Sequence, residues 1–176
     1  MTAGCIWGHW DRWHDGMTAS MTRAMEVCDG DDLHVVIIGG AAELNTRAEV
    51  ERADFVERRQ TVADRIRDIR DATGYKPKIV YHEYATLAEA IAGGGDYPFD
   101  VLFAVEKDQR QCGPFAANVA TMQSARAAAG RPPADVDVVP TVYEKETGAT
   151  LSATRARKRA KRMSLISARR TSERRG

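Results

Sequence analysis

The sequence predicts an α/β domain: a Rossmann-like, doubly wound, mostly parallel five-stranded sheet with helices on both faces. Three observations predict it. Apolar runs of strand length alternate with longer segments of helical period along most of the chain. One run, Val35-Val36-Ile37-Ile38, is apolar without a break, as strands covered on both faces are. Glycines and prolines punctuate the boundaries.

Residues 4–7 read as a first strand, closed by the dense run from Gly8 to Gly16. A helix fits 17–28, because Met17, Met21, Met25 and Cys28 recur on one face and Asp29-Gly30-Asp31-Asp32 stops it. The second strand is 33–38. The longest helix spans about 50–73, with Phe55, Val62, Ile66 and Ile69 on one stripe and Gly74 as its stop. A short strand at 78–81 and a short helix at 87–91 follow, and Gly93-Gly94-Gly95 reads as a flexible loop, with no GK[ST] after it to make it a phosphate loop. A fourth strand at 99–105, a helix at 115–129 and a last strand at 136–143 complete the alternation; Pro140 places the last strand at an edge or a bend. In such sheets ligands bind beyond the carboxyl ends of the strands.

With 176 residues, 43% hydrophobic and 29% charged, the chain supports one core and is neither disordered nor fibrous in composition. Residues 1–160 are expected to form the domain and 161–176 a basic tail. No apolar run approaches the roughly 20 residues of a membrane span, and Met1-Thr2-Ala3-Gly4-Cys5 lacks the features of a secretory signal, so a soluble, cytoplasmic protein without membrane partners is expected. Cys5, Cys28 and Cys112 have no CxxC spacing and read as reduced thiols, two of them buried.

The chemistry concentrates where the first strand gives way to the first helix, a place suited to holding phosphate on backbone N–H groups. Gly8-His9-Trp10-Asp11-Arg12-Trp13-His14-Asp15-Gly16-Met17 resembles the GxFDxxHxGH signature of the HxGH nucleotidyltransferases, the superfamily of nicotinamide-mononucleotide and phosphopantetheine adenylyltransferases and of cytidylyltransferases. Far along the chain and in the right order, Leu151-Ser152-Ala153-Thr154-Arg155-Ala156-Arg157 is similar to the late ISxTxxR element of that family.

The resemblance implies transfer of a nucleoside monophosphate from ATP or CTP to a small phosphate-bearing acceptor, with pyrophosphate released and no covalent enzyme intermediate. Catalysis would rest on positioning and charge stabilisation. It implies His14 and Arg155 as catalytic residues, with Trp7, Gly8, His9, Trp10, Gly16, Met17, Ser152, Thr154 and Arg157 around the nucleotide. Asp11 and Arg47 would meet the acceptor, and Mg²⁺ would bridge phosphate oxygens without an all-protein cage. The LSATR form leans toward the nicotinamide-mononucleotide branch, whereas Trp10-Asp11 leans toward the phosphopantetheine and cytidylyl branches. Self-association is expected, as many members of the superfamily are oligomers.

Met17 stands where the family has its second histidine, and a thioether neither donates a hydrogen bond nor carries charge. His9 is the nearest residue that could supply the missing contact. The alternative is a nucleotide-binding protein of the same fold with weak or no turnover. Plainer readings stand beside the functional ones: the three tryptophans as packing around the turn, Asp11 as a turn cap, Met17 as a core residue on its helix, and His34 and His82 as structural. Gly39-Gly40 suggests close approach of backbone to a ligand or a simple strand end, and Lys107, Asp108 and Arg110 fall at the binding edge. Residues 151–176 hold ten of the 26 Lys and Arg but one of the 25 Asp and Glu, a net +9 against −8 for the rest. That tail has three readings: completing the triphosphate site, binding nucleic acid, or packing on the chain's own acidic body.

Overall fold

The computed structural model describes residues 1–10, 13–39, 55–105 and 113–140. Their strands are β1 (Gly4–Gly8), β2 (Asp32–Ile38), β3 (Lys78–Tyr84), β4 (Val101–Val105) and β5 (Asp135–Val139). The helices between them are α1 (Asp15–Val27), α2 (Phe55–Thr73), α3 (Leu87–Ala92) with a 3₁₀ turn at Gly93–Gly95, and α4 (Gly113–Ala128). All pairings are parallel, in the order β3-β2-β1-β4-β5.

Alternation along the strands divides the core. Ile6, Leu33, Val35, Ile37 and Phe103 face α1 and α2, packing with Met21, Met25, Val62 and Ile66. Cys5, Val36, Ile38 and Leu102 face the other way and pack with Ala90, Ile91 and Met122 of α3 and α4. Every residue of β2 after Asp32 is buried, which is why its apolar run is unbroken. The chain leaves α2 through Gly74, whose φ of +82° favours a residue without Cβ.

The elements differ from the sequence reading mainly at their ends. Helix α1 begins two residues earlier than the stripe of methionines indicates, because the His14 side chain caps it. Strand β3 runs on to Tyr84 beside Ile38, although Tyr81-His82-Glu83-Tyr84 lacks an apolar period. The Gly93–Gly95 loop is corrected outright: it is a buried 3₁₀ turn. A Cβ on Gly95 would stand 2.7 Å from the Ala125 carbonyl oxygen, so glycine here lets α4 come close. Cys5 and Cys28 are free and buried, and burial pushes both thiols up to about 12. Cys112 and the basic segment from 141 onward lie outside the described residues. Among the described residues no helix is long and apolar enough to cross a membrane.

Candidate functional site

The strand order reverses at β1, which has β2 on one side and β4 on the other. A crevice at the carboxyl ends of strands at such a switch point is where doubly wound sheets bind ligands. The chain leaves β1 there through Gly8, His9 and Trp10, and Trp13 and His14 lead into α1.

Trp10 shapes this turn. Its φ is +54°, a left-handed conformation that costs an L-residue about 1–2 kcal/mol. Three contacts hold it there: the ring is 3% exposed, its Nε1–H donates to the Val36 carbonyl at 3.0 Å, and it stacks on Trp13 at 5.6 Å. Trp13 in turn donates to Thr18 Oγ1 at 2.7 Å, tying the far side of the turn to α1. Gly8 is required by the same packing, since a Cβ would fall 2.6 Å from the Trp10 indole. Trp10, expected beside the nucleotide, is thus a core residue whose N–H is already used. Trp7 lies on the opposite face of β1, half-buried among α3 and α4 contacts, and its indole N–H is buried without a hydrogen-bond acceptor.

His14 sits at the N-cap of α1 with extended backbone, φ −149° and ψ 169°. Its Nδ1 accepts from the Gly16 N–H at 3.1 Å, and its carbonyl accepts from the Met17 N–H at 2.9 Å. Two of the N–H groups that an anion could use at this helix terminus are therefore satisfied within the chain. The neutral ring, with Nδ1 accepting, carries its proton on Nε2. Met17 is half-buried and packs against the α1–α2 side of the core, as its stripe predicts.

His9 follows β1, and its Nδ1 lies 2.8 Å from the Ile38 carbonyl at the end of β2. Arg58 of α2, absent from the sequence reading, joins this contact. It is 4% exposed, and one Nη1 donates to the His9 carbonyl at 2.9 Å and the Ile38 carbonyl at 2.6 Å. The guanidinium rests 4.6 Å over the Phe55 ring. Gly39, read as a place where a ligand nears the backbone, is instead closed by that ring: a Cβ would fall 2.4 Å from Phe55. A signal for Arg58 exists in the sequence, for it stands four residues before Val62 on the apolar stripe of α2, where a charge needs a buried partner.

Asp11, Arg47, Ser152, Thr154, Arg155 and Arg157 lie outside the described residues, as do Lys107, Asp108 and Arg110. The structure therefore brings together Gly8, His9, His14 and Gly16 at one sheet end. Among the described residues no three His, Cys, Asp or Glu side chains gather to hold a metal ion.

His34 and His82 lie away from this turn, as structural residues. His34 Nδ1 and His82 Nε2 are 2.8 Å apart, and both rings stack on Tyr97. Burial is the first cause that lowers both imidazoles from their ordinary value, His82 to about 4.

No protein-family model matches the chain, and no curated protein matches it in sequence. Solved structures do. A protein of unknown function from Archaeoglobus fulgidus superposes with a TM-score of 0.50 at 16% identity, covering 78% of this chain and 97% of that one. Pantoate-beta-alanine (pantothenate synthetase) from Thermus thermophilus gives a TM-score of 0.45 at 16% identity, over 86% of this chain and 60% of that one. This chain thus corresponds to about three fifths of the synthetase's length. At 16% identity, the likeness to the Archaeoglobus fulgidus protein is one of fold alone.

Proposed function

We propose that the protein is a nucleotidyltransferase, moving a nucleoside monophosphate from ATP or CTP to a small phosphate-bearing acceptor, in the manner of nicotinamide-mononucleotide adenylyltransferases. The observation that carries this reading is the place of His14, which caps α1 through Nδ1 at the helix N-terminus that follows β1 at the switch point. In this reaction an acceptor phosphate oxygen attacks the α-phosphorus. The bond to the bridging oxygen of the β-phosphate breaks, and negative charge moves onto the departing pyrophosphate. A fixed N–H donor stabilises that charge at no reorganisation cost. Arg155, Arg157, Ser152 and Thr154 would grip the β- and γ-phosphates, and Asp11 and Arg47 would meet the acceptor. Mg²⁺ would arrive with the nucleotide and neutralise its phosphates.

The test is pyrophosphate release with Mg²⁺ and either ATP or CTP, against nicotinamide mononucleotide, phosphopantetheine, glycerol 3-phosphate and phosphocholine. Acceptor-dependent release lost in His14→Ala names the substrate pair. Release that is absent with every pair, or unchanged in that variant, overturns the reading.

One observation favours a second reading, a nucleotide-binding protein with little turnover. Met17 is engaged with the core where the family motif has a donor. A Met17→His variant that gains pyrophosphate release supports this second reading; one that loses an existing activity shows that methionine belongs to a working site.

A further inference from the structure

The amino end of the sheet, opposite the motif turn, carries a groove of about 530 Å³ bordered by the start of β4, the edge strand β5 and the end of α1. Val27, Val101 and Val136 give it apolar surface, and Asp100, Asp135 and Asp137 give it charge. Among the described residues no lysine or arginine lines it. Arg23 reaches Asp137 at 3.1 Å but is shared with Glu26 at 3.0 Å, and Asp100 and Asp135 form no ion pair among the described residues. On α2, by contrast, Asp64 and Asp68 are matched by Arg67 and Arg65 of the same helix. The groove is therefore an anionic surface in need of a cationic occupant with some apolar area.

The chain itself holds such a segment. Of residues 155–162, all but Ala156 and Ala160 are basic, and Ala153, Ala156, Ala160 and Met163 recur at helical spacing. The tether is long enough to deliver it. Pro140 follows β5 directly at the carboxyl end, β5 is about 13 Å long at about 3.3 Å per residue, and residues 141–151 can span up to about 36 Å when extended.

We propose that residues 158–163 dock in this groove as an intramolecular cationic strap. A helix from Ser152, rising about 1.5 Å per residue, runs back along β5 in about nine residues and brings Lys161 to Asp135, with Ala160 and Met163 toward the valines. Tethering favours this occupant over a second copy or a separate protein, because a segment on a short linker is present at millimolar effective concentration. Docking and nucleic-acid binding by the tail then exclude each other, since the same cations serve both. The proposal is independent of the nucleotidyl-transfer reading, which assigns none of residues 158–163 to the nucleotide.

The experiment is zero-length carbodiimide coupling of the full chain at low salt, with ¹⁴N and ¹⁵N protein mixed so that mass spectrometry separates bonds within a chain from bonds between chains. The expected product joins Lys158 or Lys161 to Asp100, Asp135 or Asp137 of the same chain. Asp135 is exposed, so Asp135→Lys should keep the native urea midpoint while lowering this coupling and speeding tryptic cleavage after Lys158 about tenfold, as reversal of an exposed ion pair allows. Adding Lys161→Asp to Asp135→Lys should restore both. Single-stranded oligothymidylate should bind Asp135→Lys more tightly than the native chain, because the strap is released. Coupling only between chains overturns the proposal in favour of a second copy in the groove. Coupling to other carboxylates alone, no coupling, or cleavage and oligothymidylate binding equal in the native and Asp135→Lys chains overturns it in favour of a free tail.

Discussion

Arg58 and Arg126 are both buried, both bonded to main-chain carbonyls and both laid over a phenylalanine, yet they serve opposite ends of the sheet. Arg126 is 1% exposed. It donates from Nε to Pro132, from Nη1 to Gly94 and from Nη2 to Phe99, at 3.1, 3.2 and 2.5 Å, with its guanidinium 3.9 Å over Phe99. Phe99 and Pro132 precede β4 and β5, so Arg126 ties the amino ends of these strands to the 3₁₀ turn after α3. Arg58 makes the same kind of knot at the carboxyl ends of β1 and β2, the end at which doubly wound sheets in general bind ligands. One chemistry thus supports packing at one end and site geometry at the other. In both cases a guanidinium, planar and rich in donors, closes several carbonyls that would otherwise be buried unpaired.

The contrast is sharpest in stability. Arg126→Met leaves three carbonyls without their donors, and at roughly 1–3 kcal/mol for a buried unpaired group the expected cost is about 3 kcal/mol or more, read as a fall in the urea midpoint. Burial, and then neighbouring Arg131, already pull Arg126 below its ordinary pKa, a sign that this charge is held by the fold against its own hydration. A midpoint change under about 0.5 kcal/mol, the range of ordinary surface substitutions, would show that α4 and the 3₁₀ turn pack without it.

Next in size is Gly95→Ala, also at the Arg126 end. The added Cβ meets a backbone oxygen at 2.7 Å and the Ala129 Cβ at 3.2 Å, neither the end of a flexible side chain, so α4 must shift. Overpacking of this kind costs about 2 kcal/mol. Gly94→Ala is the comparison, because its nearest neighbour is the buried Met122 Cγ at 2.6 Å, a side-chain atom and not backbone. Equal destabilisation by the two substitutions would refute the rigid approach of α4.

At the site end the stability effect should be smaller and the functional effect larger. His14→Ala removes an N-cap and is expected to cost about 1 kcal/mol, measured by thermal or urea unfolding. His14→Asn keeps a capping acceptor and should recover most of that stability, yet it lacks the Nε2–H and should stay inactive in pyrophosphate release. Recovered activity in His14→Asn would mean that His14 matters only as a cap.

The fold was legible because burial writes a period into sequence. The unbroken apolar run of β2 and the Phe55, Val62, Ile66, Ile69 stripe of α2 each mark an element that packs on both or one of its sides. Element ends were less legible, since His14 starts α1 by a side-chain bond that no hydrophobic pattern reveals. Gly93–Gly95 misled because glycine has the same composition in a loop as under a closely packed helix; only Ala125 and Met122, far along the chain on α4, distinguish the two. Of the site, the motif placed His14, His9 and Gly8 at one turn. It did not disclose that Trp10 is spent on packing, nor that Arg58 and Arg126 are pinned. Both arginines were visible in principle as charges inside apolar stripes, four residues from Val62 and Met122 respectively.

An acid sensitivity is also expected, and it belongs to the Arg126 end. From His82 the rings run through Tyr97, 3.9 Å away, to Phe99 at 5.6 Å and so to Arg126. The His34–His82 bond holds one shared proton, and protonating both rings would set two donors against each other. Burial lowers both imidazoles, with Asp32 and the Pro98 carbonyl opposing this at His34. At His82 the charge of His34 adds to the lowering, and Asp96 opposes it. The folded values thus lie below the ordinary 6.5, at about 4 for His82, and the unfolded chain binds more protons between these limits. Stability from this pair is therefore complete above about pH 6.5 and declines as pH falls toward 4. Urea midpoints should therefore be lower at pH 5 than at pH 7, and lower again nearer pH 4. His82→Gln, which can still hydrogen-bond His34 but does not titrate, should flatten the dependence. Hydrogen exchange at pH 5 should quicken first around Tyr97 to Leu102 and leave Gly8 to Trp10 protected. Loosening that begins at Gly8 to Trp10 instead would place the acid-sensitive element at the Arg58 end and undo the division between the two ends of the sheet.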